Sequence, residues 1–106
     1  MIINFAGFNF IREARAADVK VYGYVIDEAY SPIWGAKVDF RPTTIFAYGD
    51  SCATDSSGYF EVHLMADTTY SVTVSAPPYY ETYYGSYAIE SFINRYYFQI
   101  VSKMIK

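Results

Sequence analysis

A chain of 106 residues supplies one domain with a single modest core. Its composition, 53% hydrophobic and 18% charged, excludes intrinsic disorder, which needs few apolar residues and many charges. A net charge of −3 excludes a basic nucleic-acid footprint, and one cysteine and one histidine exclude an internal disulfide and a multi-histidine metal site.

The chain opens on an apolar stretch, Met1 to Ile11, far shorter than the run of about 20 residues that a membrane helix requires. No positive residue precedes it, and Arg12, Glu13 and Arg15 crowd the small residues Ala14 and Ala16, which argues against a signal peptide. Ile3 and Phe5 share one parity and Phe8 and Phe10 the other, with Gly7 between them as a site for a face-resetting bulge. The stretch reads as an added strand, and Arg12 to Asp18 as its connector. The expected division is therefore 1–17, apolar strand and connector, and 18–106, a β-sandwich domain.

From Val19 onward the pattern alternates with period two and is punctuated by turn residues. Val19, Val21, Gly23 and Val25 form one face of a first strand, and Ala36, Val38 and Phe40 one face of a second that Pro42 stops. Ile45 to Ala53 reads as a weaker strand, followed by the turn Asp55-Ser56-Ser57-Gly58. Phe60, Val62 and Leu64 then point inward, as do Tyr70, Val72 and Val74, before Pro77-Pro78 closes that strand. Tyr79 to Tyr87 holds five tyrosines in nine residues. A helix is open around Ala88 to Asn94. The run beyond it, with Tyr96, Phe98 and Ile100 on one parity and Tyr97 and Val101 on the other, reads as a strand covered on both faces. The spacing of the turns is the rhythm of an antiparallel sandwich.

Residues 19–80 carry a recognisable set of motifs: Val21-Tyr22-Gly23-Tyr24-Val25, Pro32-Ile33-Trp34-Gly35-Ala36, Thr54-Asp55-Ser56-Ser57-Gly58-Tyr59-Phe60, and Tyr70 to Tyr79. They resemble the carboxypeptidase regulatory-like domains. The resemblance implies an all-β, seven-stranded, transthyretin-like (Ig-like) sandwich, and accessory, adhesive or structural roles without catalytic residues. Pro77-Pro78-Tyr79 stands where that family has Pro-Gly-Tyr. The resemblance does not extend to residues 1–17.

Enzymatic readings lack parts. Tyr83-Tyr84-Gly85-Ser86 is similar to the Tyr-Arg-Gly-Ser signature of the transthyretin-related hydroxyisourate hydrolases, but it lacks the arginine and lies mid-chain, and His63 is the single histidine. An intramolecular isopeptide bond, as in related surface-protein sandwiches, would use Lys20, Asn94 and a buried Glu61, yet Lys20 and Glu61 alternate away from the apolar faces. Cys52 has no histidine near it in sequence and reads as a structural thiol. Asp27, Glu28, Asp50 and Asp55 would be the donors of a calcium site, but Asp55 followed by Gly58 is more simply a turn. No enzyme, metal or cofactor is expected. Tyr79, Tyr80, Tyr83, Tyr84 and Tyr87 form a candidate contact surface for a glycan or protein, tyrosine offering area with a polar tip. The bland alternative is tyrosine's preference for strands.

The first residues carry the sharpest functional expectation. Ile3, Phe5, Phe8, Phe10 and Ile11 would form a subunit interface by β-augmentation, in which backbone pairing gives affinity and alternate side chains fill pockets. Burying the first four would contribute on the order of 6–12 kcal/mol before ordering costs. A head-to-tail contact of this type does not close and produces a filament. The charge distribution agrees: residues 1–17 carry +1, residues 18–94 carry −7 and residues 95–106 carry +3. The expectation is a structural subunit of an extracellular or cell-surface filament, a homopolymer with identical subunits as partners, no nucleic acid and no membrane span. The alternative is a self-contained carbohydrate- or protein-binding module using the tyrosine cluster.

Overall fold

The computed structural model describes residues 18–91 and 95–102. Residues 1–17, and with them Ile3, Phe5, Phe8, Phe10 and Ile11, lie outside the described residues, as does Asn94. Seven strands follow in order: β1 Asp18–Ile26, β2 Lys37–Pro42, β3 Asp50–Ala53, β4 Tyr59–Met65, β5 Thr68–Ser75, β6 Tyr83–Ile89 and β7 Arg95–Gln99. They form a three-stranded sheet in the order β4-β1-β7 and a four-stranded sheet in the order β3-β2-β5-β6. The described residues hold no helix, and so none long and apolar enough to cross a membrane.

The alternation in the sequence is the cause of the sandwich. Val21 and Val25 from β1, Val38 and Phe40 from β2, Phe60, Val62 and Leu64 from β4, and Tyr70, Val72 and Val74 from β5 are all buried, each set on one face of its strand. Phe40, Phe60 and Phe98 form an aromatic centre, with ring centroids 5.7 to 6.4 Å apart. Tyr70 is fully buried, and its hydroxyl donates to the Tyr48 carbonyl at 2.8 Å and accepts from the Met65 amide at 3.0 Å, so its polar tip has partners at depth.

The loops divide between two ends. The upper end holds the β1–β2 loop, the β3–β4 turn, the β5–β6 loop and residues 100–102. The lower end holds Asp18, the β2–β3 loop and the β4–β5 turn. At the upper end Asp55 closes the β3–β4 turn: its Oδ1 accepts from the Ser57 amide, the Ser57 hydroxyl and the Tyr59 amide at 2.9 to 3.0 Å. Gly58 follows at φ 79°, where a Cβ would press within 2.6 Å of the Val25 carbonyl, so this turn needs glycine.

Four expectations are corrected. The sheets are not wholly antiparallel, because β7 runs parallel to β1, with Gly23 opposite Tyr96 and Val25 opposite Phe98. β7 is an edge strand covered on one face: Phe98 is buried, whereas Arg95, Tyr97 and Gln99 face solvent. The weak strand over 45–53 shrinks to Asp50–Ala53, and Ile45 and Phe46 stand exposed in the loop before it. Ala88 and Ile89 continue strand β6 and are not helical, because pairing with Thr69 and Thr68 of β5 captures them.

Candidate functional site

The two lateral sides of the sandwich differ. On one side β3 and β4 are outermost, and that side is guarded. β3 is only four residues long, and Asp50 turns its carboxylate onto the neighbouring sheet, Oδ2 accepting the His63 amide at 3.0 Å and Oδ1 the Ser51 amide at 2.8 Å. The amide of β4 that a new strand would need is thereby occupied, and short charged edges are a known defence against pairing. Glu61 adds a negative charge to the solvent face of β4, and His63 stands beside it, Nε2 3.4 Å from Glu61 and Nδ1 4.0 Å from Asp18.

Among the described residues the other side is open. Its edge strands are β6, Tyr-Tyr-Gly-Ser-Tyr-Ala-Ile, which has neither charge nor proline, and β7, whose one charge is Arg95. Among the described residues no strand pairs with the outer edge of either. Between these edges four aromatic rings interlock. Tyr87 meets Tyr96 edge-on at 5.1 Å, while Tyr83 and Tyr87 lie 5.5 and 5.8 Å from Phe98, and Tyr96 stacks beside it at 5.9 Å. The hydroxyls of Tyr83 and Tyr87 hydrogen-bond to each other. Burial, and then the bond to Tyr83, push the Tyr87 phenol up to about 12, and burial also raises Tyr96. Tyr83, Tyr87 and Tyr96 are nevertheless only half-buried, unlike the sealed centre around Phe40 and Tyr70.

The five tyrosines singled out in the sequence do not form one surface. Alternation along β6 sends Tyr83 and Tyr87 inward and Tyr84 outward, where it is 75% exposed. Tyr80 is half-buried in a bridge to Ser102, and Tyr79 is 68% exposed in the upper loop. Further exposed aromatics that the sequence reading passed over, Tyr30 and Trp34, stand in the β1–β2 loop, where Asp27 Oδ1 binds the amides of Ala29 and Ser31.

The other candidates are dispersed. Lys20 and Glu61 face solvent, Lys20 lying 5.4 Å from the Tyr22 ring and Glu61 accepting the Tyr59 hydroxyl at 2.9 Å, so Glu61 is not the buried acid an isopeptide bond needs. Cys52 packs half-buried opposite Val38, and burial raises its thiol; His63 is on the solvent face of β4, so the two do not form a nucleophile–base pair. Asp27, Glu28 and Asp55 are engaged with backbone amides at the upper end, and Asp50 lies at the opposite end of the sandwich. Among the described residues no three His, Cys, Asp or Glu side chains group as a metal site. An open depression of about 540 Å³ lies along Asp39 to Pro42 and Gly49 to Ser51, without an enclosing wall.

Solved structures with the same fold include 3-chlorocatechol 1,2-dioxygenase from Rhodococcus opacus, at TM-score 0.66 and 10% identity over 81% of this chain and 60% of that one. The dioxygenase domain of a dioxygenase carbohydrate-binding protein fusion from a cellulolytic Streptomyces is similar at TM-score 0.61 and 16% identity, over 87% of this chain and 83% of that one. A C-terminal fragment of pilus adhesin SpaC from Lactobacillus rhamnosus GG is similar at TM-score 0.59 and 11% identity, over 84% of this chain and 46% of that one. The chain thus spans about 60% of the first dioxygenase and less than half of the adhesin fragment, and at these identities the likeness is one of fold. No curated protein sequence matches the chain. The family model for the carboxypeptidase regulatory-like domain matches residues 20–92, the greater part of the chain, and the chain belongs to that family.

Proposed function

We propose that this domain is a structural subunit of an extracellular or cell-surface filament, fibre- or pilus-like, that polymerises head-to-tail by inserting its N-terminal apolar strand into the next subunit. The open side formed by β6 and β7, with no proline and Arg95 as its one charge, carries this reading. A sheet edge with free backbone groups and little guarding charge is a template for another chain. The sequence supplies a matching strand, with Ile3, Phe5, Phe8, Phe10 and Ile11 as the interface residues. The positive N-terminal segment and the negative body favour the encounter, and the fold shared with a pilus adhesin fragment is consistent with a surface setting. Catalysis has no part in this proposal.

The test is electron microscopy of the purified full chain beside a full-length Phe8→Asp/Phe10→Asp variant and a chain lacking residues 1–17, each checked for folding by circular dichroism. Fibres from the unaltered chain and monomers from the folded double variant are expected. Discrete particles from all three would overturn the filament.

A second reading, a carbohydrate- or protein-binding accessory module, is favoured by a different observation: Tyr30, Trp34 and Tyr79 project into solvent from the upper-end loops. Glycan binding that survives removal of residues 1–17 and is lost in Trp34→Ala would establish it.

A further inference from the structure

We propose that the acceptor is the outer edge of β7, not that of β6, and that the donated strand lies parallel to β7. This rests on the strand-donation reading above and specifies its geometry.

The choice of edge follows from the sheets. Four strands cover three, and the inner residues of β6, Tyr83 and Tyr87, pack on Phe98 and Tyr96 of the edge strand β7 yet stay half-buried. A strand added beside β7 would complete a fourth position in the smaller sheet, and its inward side chains would land on Tyr83, Tyr87 and Tyr96. A strand added beside β6 would extend the larger sheet further and face no opposing strand. The residues outside the described structure provide an occupant of the right kind. Seventeen residues precede Asp18, and their apolar positions Ile3, Phe5, Phe8 and Phe10 alternate with Asn4 and Asn9. Phenylalanines packed on half-buried tyrosines form favourable ring pairs, and the asparagines take the solvent face.

The direction follows from where the chain enters the fold. Asp18 begins β1 at the lower end, and β7 runs the same way as β1, from lower to upper. In a head-to-tail stack the next subunit's Asp18 sits above the upper end of this one. Its connector from Arg12 to Asp18 spans up to about 23 Å, enough to cross the junction. Residues 11 back to 1 then descend along β7, so the donated strand runs upward from residue 1 to residue 11, parallel to β7 and β1. A segment folding back on its own β7 would start from Asp18 at the lower end and run antiparallel. Parallel pairing therefore excludes self-complementation, and the fibres themselves distinguish an open head-to-tail stack from a closed dimer.

Cross-linking tests this on the full chain in a Cys52→Ser background. Arg95 and Gln99 are four residues apart on the solvent face of β7, and Asn4 and Asn9 are five apart with one residue absorbed by a bulge at Gly7. Singly substituted chains are mixed in pairs, joined with a short bis-maleimide and read by mass spectrometry of the linked peptides. Asn4→Cys with Arg95→Cys, and Asn9→Cys with Gln99→Cys, should link several-fold more than the crossed pairs. Fibres that link through the crossed pairs overturn the direction. Fibres that link to Tyr84→Cys on β6 and not to β7 overturn the edge, while strand donation stands. Samples that form neither fibres nor any inter-chain product overturn strand donation and this assignment together.

Discussion

Thr54 is the buried polar side chain of the described core, and it ties two loops into one. Its Oγ1 donates to the Ile33 carbonyl at 2.6 Å and accepts the Ala36 amide at 2.9 Å, fixing the entry into β2 against the start of the β3–β4 turn. Thr54→Val keeps the shape but strands both backbone partners, and should lower unfolding stability by about 1–3 kcal/mol in urea denaturation. At the same scale Tyr87 predicts an alkaline response. Its phenol is raised in the folded state from 10 to about 12, so its contribution is fully present below pH 10 and is lost as pH rises from 10 toward 12. A phenolate absorbance titration should therefore show a late-ionising fraction in that window, coincident with falling thermal stability. Tyr87→Phe should diminish both. At single residues the sequence was read well for burial: Lys20, Glu61 and His63 face water as their parity required. The partnership of Asp50 with His63, 13 residues apart, left no local trace because it joins two sheets.

The strands show where alternation informs and where it misleads. β1, β2, β4 and β5 carry mostly aliphatic and aromatic residues at every second position, and their buried faces follow directly. β7 was misjudged because Tyr96, Tyr97 and Phe98 look apolar in both directions, whereas a tyrosine is content at the surface with its hydroxyl in water, as Tyr97 is at 58% exposure. The parallel β1–β7 pairing was not legible either, since a strand's own residues do not state the direction of its neighbour. That pairing has one local requirement, which is Gly23. A Cβ there would fall onto the Tyr96 carbonyl, a backbone group with no freedom to turn away. Gly23→Ala should destabilise by about 3 kcal/mol, at the upper end for overpacking, or expel β7 from its sheet. Chemical denaturation together with hydrogen exchange at Tyr96 to Phe98 separates these outcomes, and wild-type stability would show that the two strands do not approach in solution.

For the whole molecule the distribution of charge and of edges matters more than any pocket. Ten carboxylates against three basic residues over 18–94 give the body its negative field, and the segment before it is positive. If strand donation is steered by that field, raising the salt from about 0.01 M to about 1 M, which shortens the screening length from about 30 to about 3 Å, should slow fibre elongation by about tenfold. Light scattering during assembly measures this. Elongation indifferent to salt would leave the contact wholly to apolar burial and backbone pairing.

The sequence by itself determined the all-β class, the inward faces of four strands, the Asp55 to Gly58 turn and family membership, because each is written in neighbouring residues through period-two alternation and local turn chemistry. The tertiary structure decided which strands become edges, that one pairing is parallel, that one side is guarded by Asp50 and the other lined by half-buried tyrosines, and that the tyrosine cluster is divided between two faces. Those features arise from contacts between residues tens of positions apart. No local pattern encodes which two sheets will meet, or where four strands will overhang three.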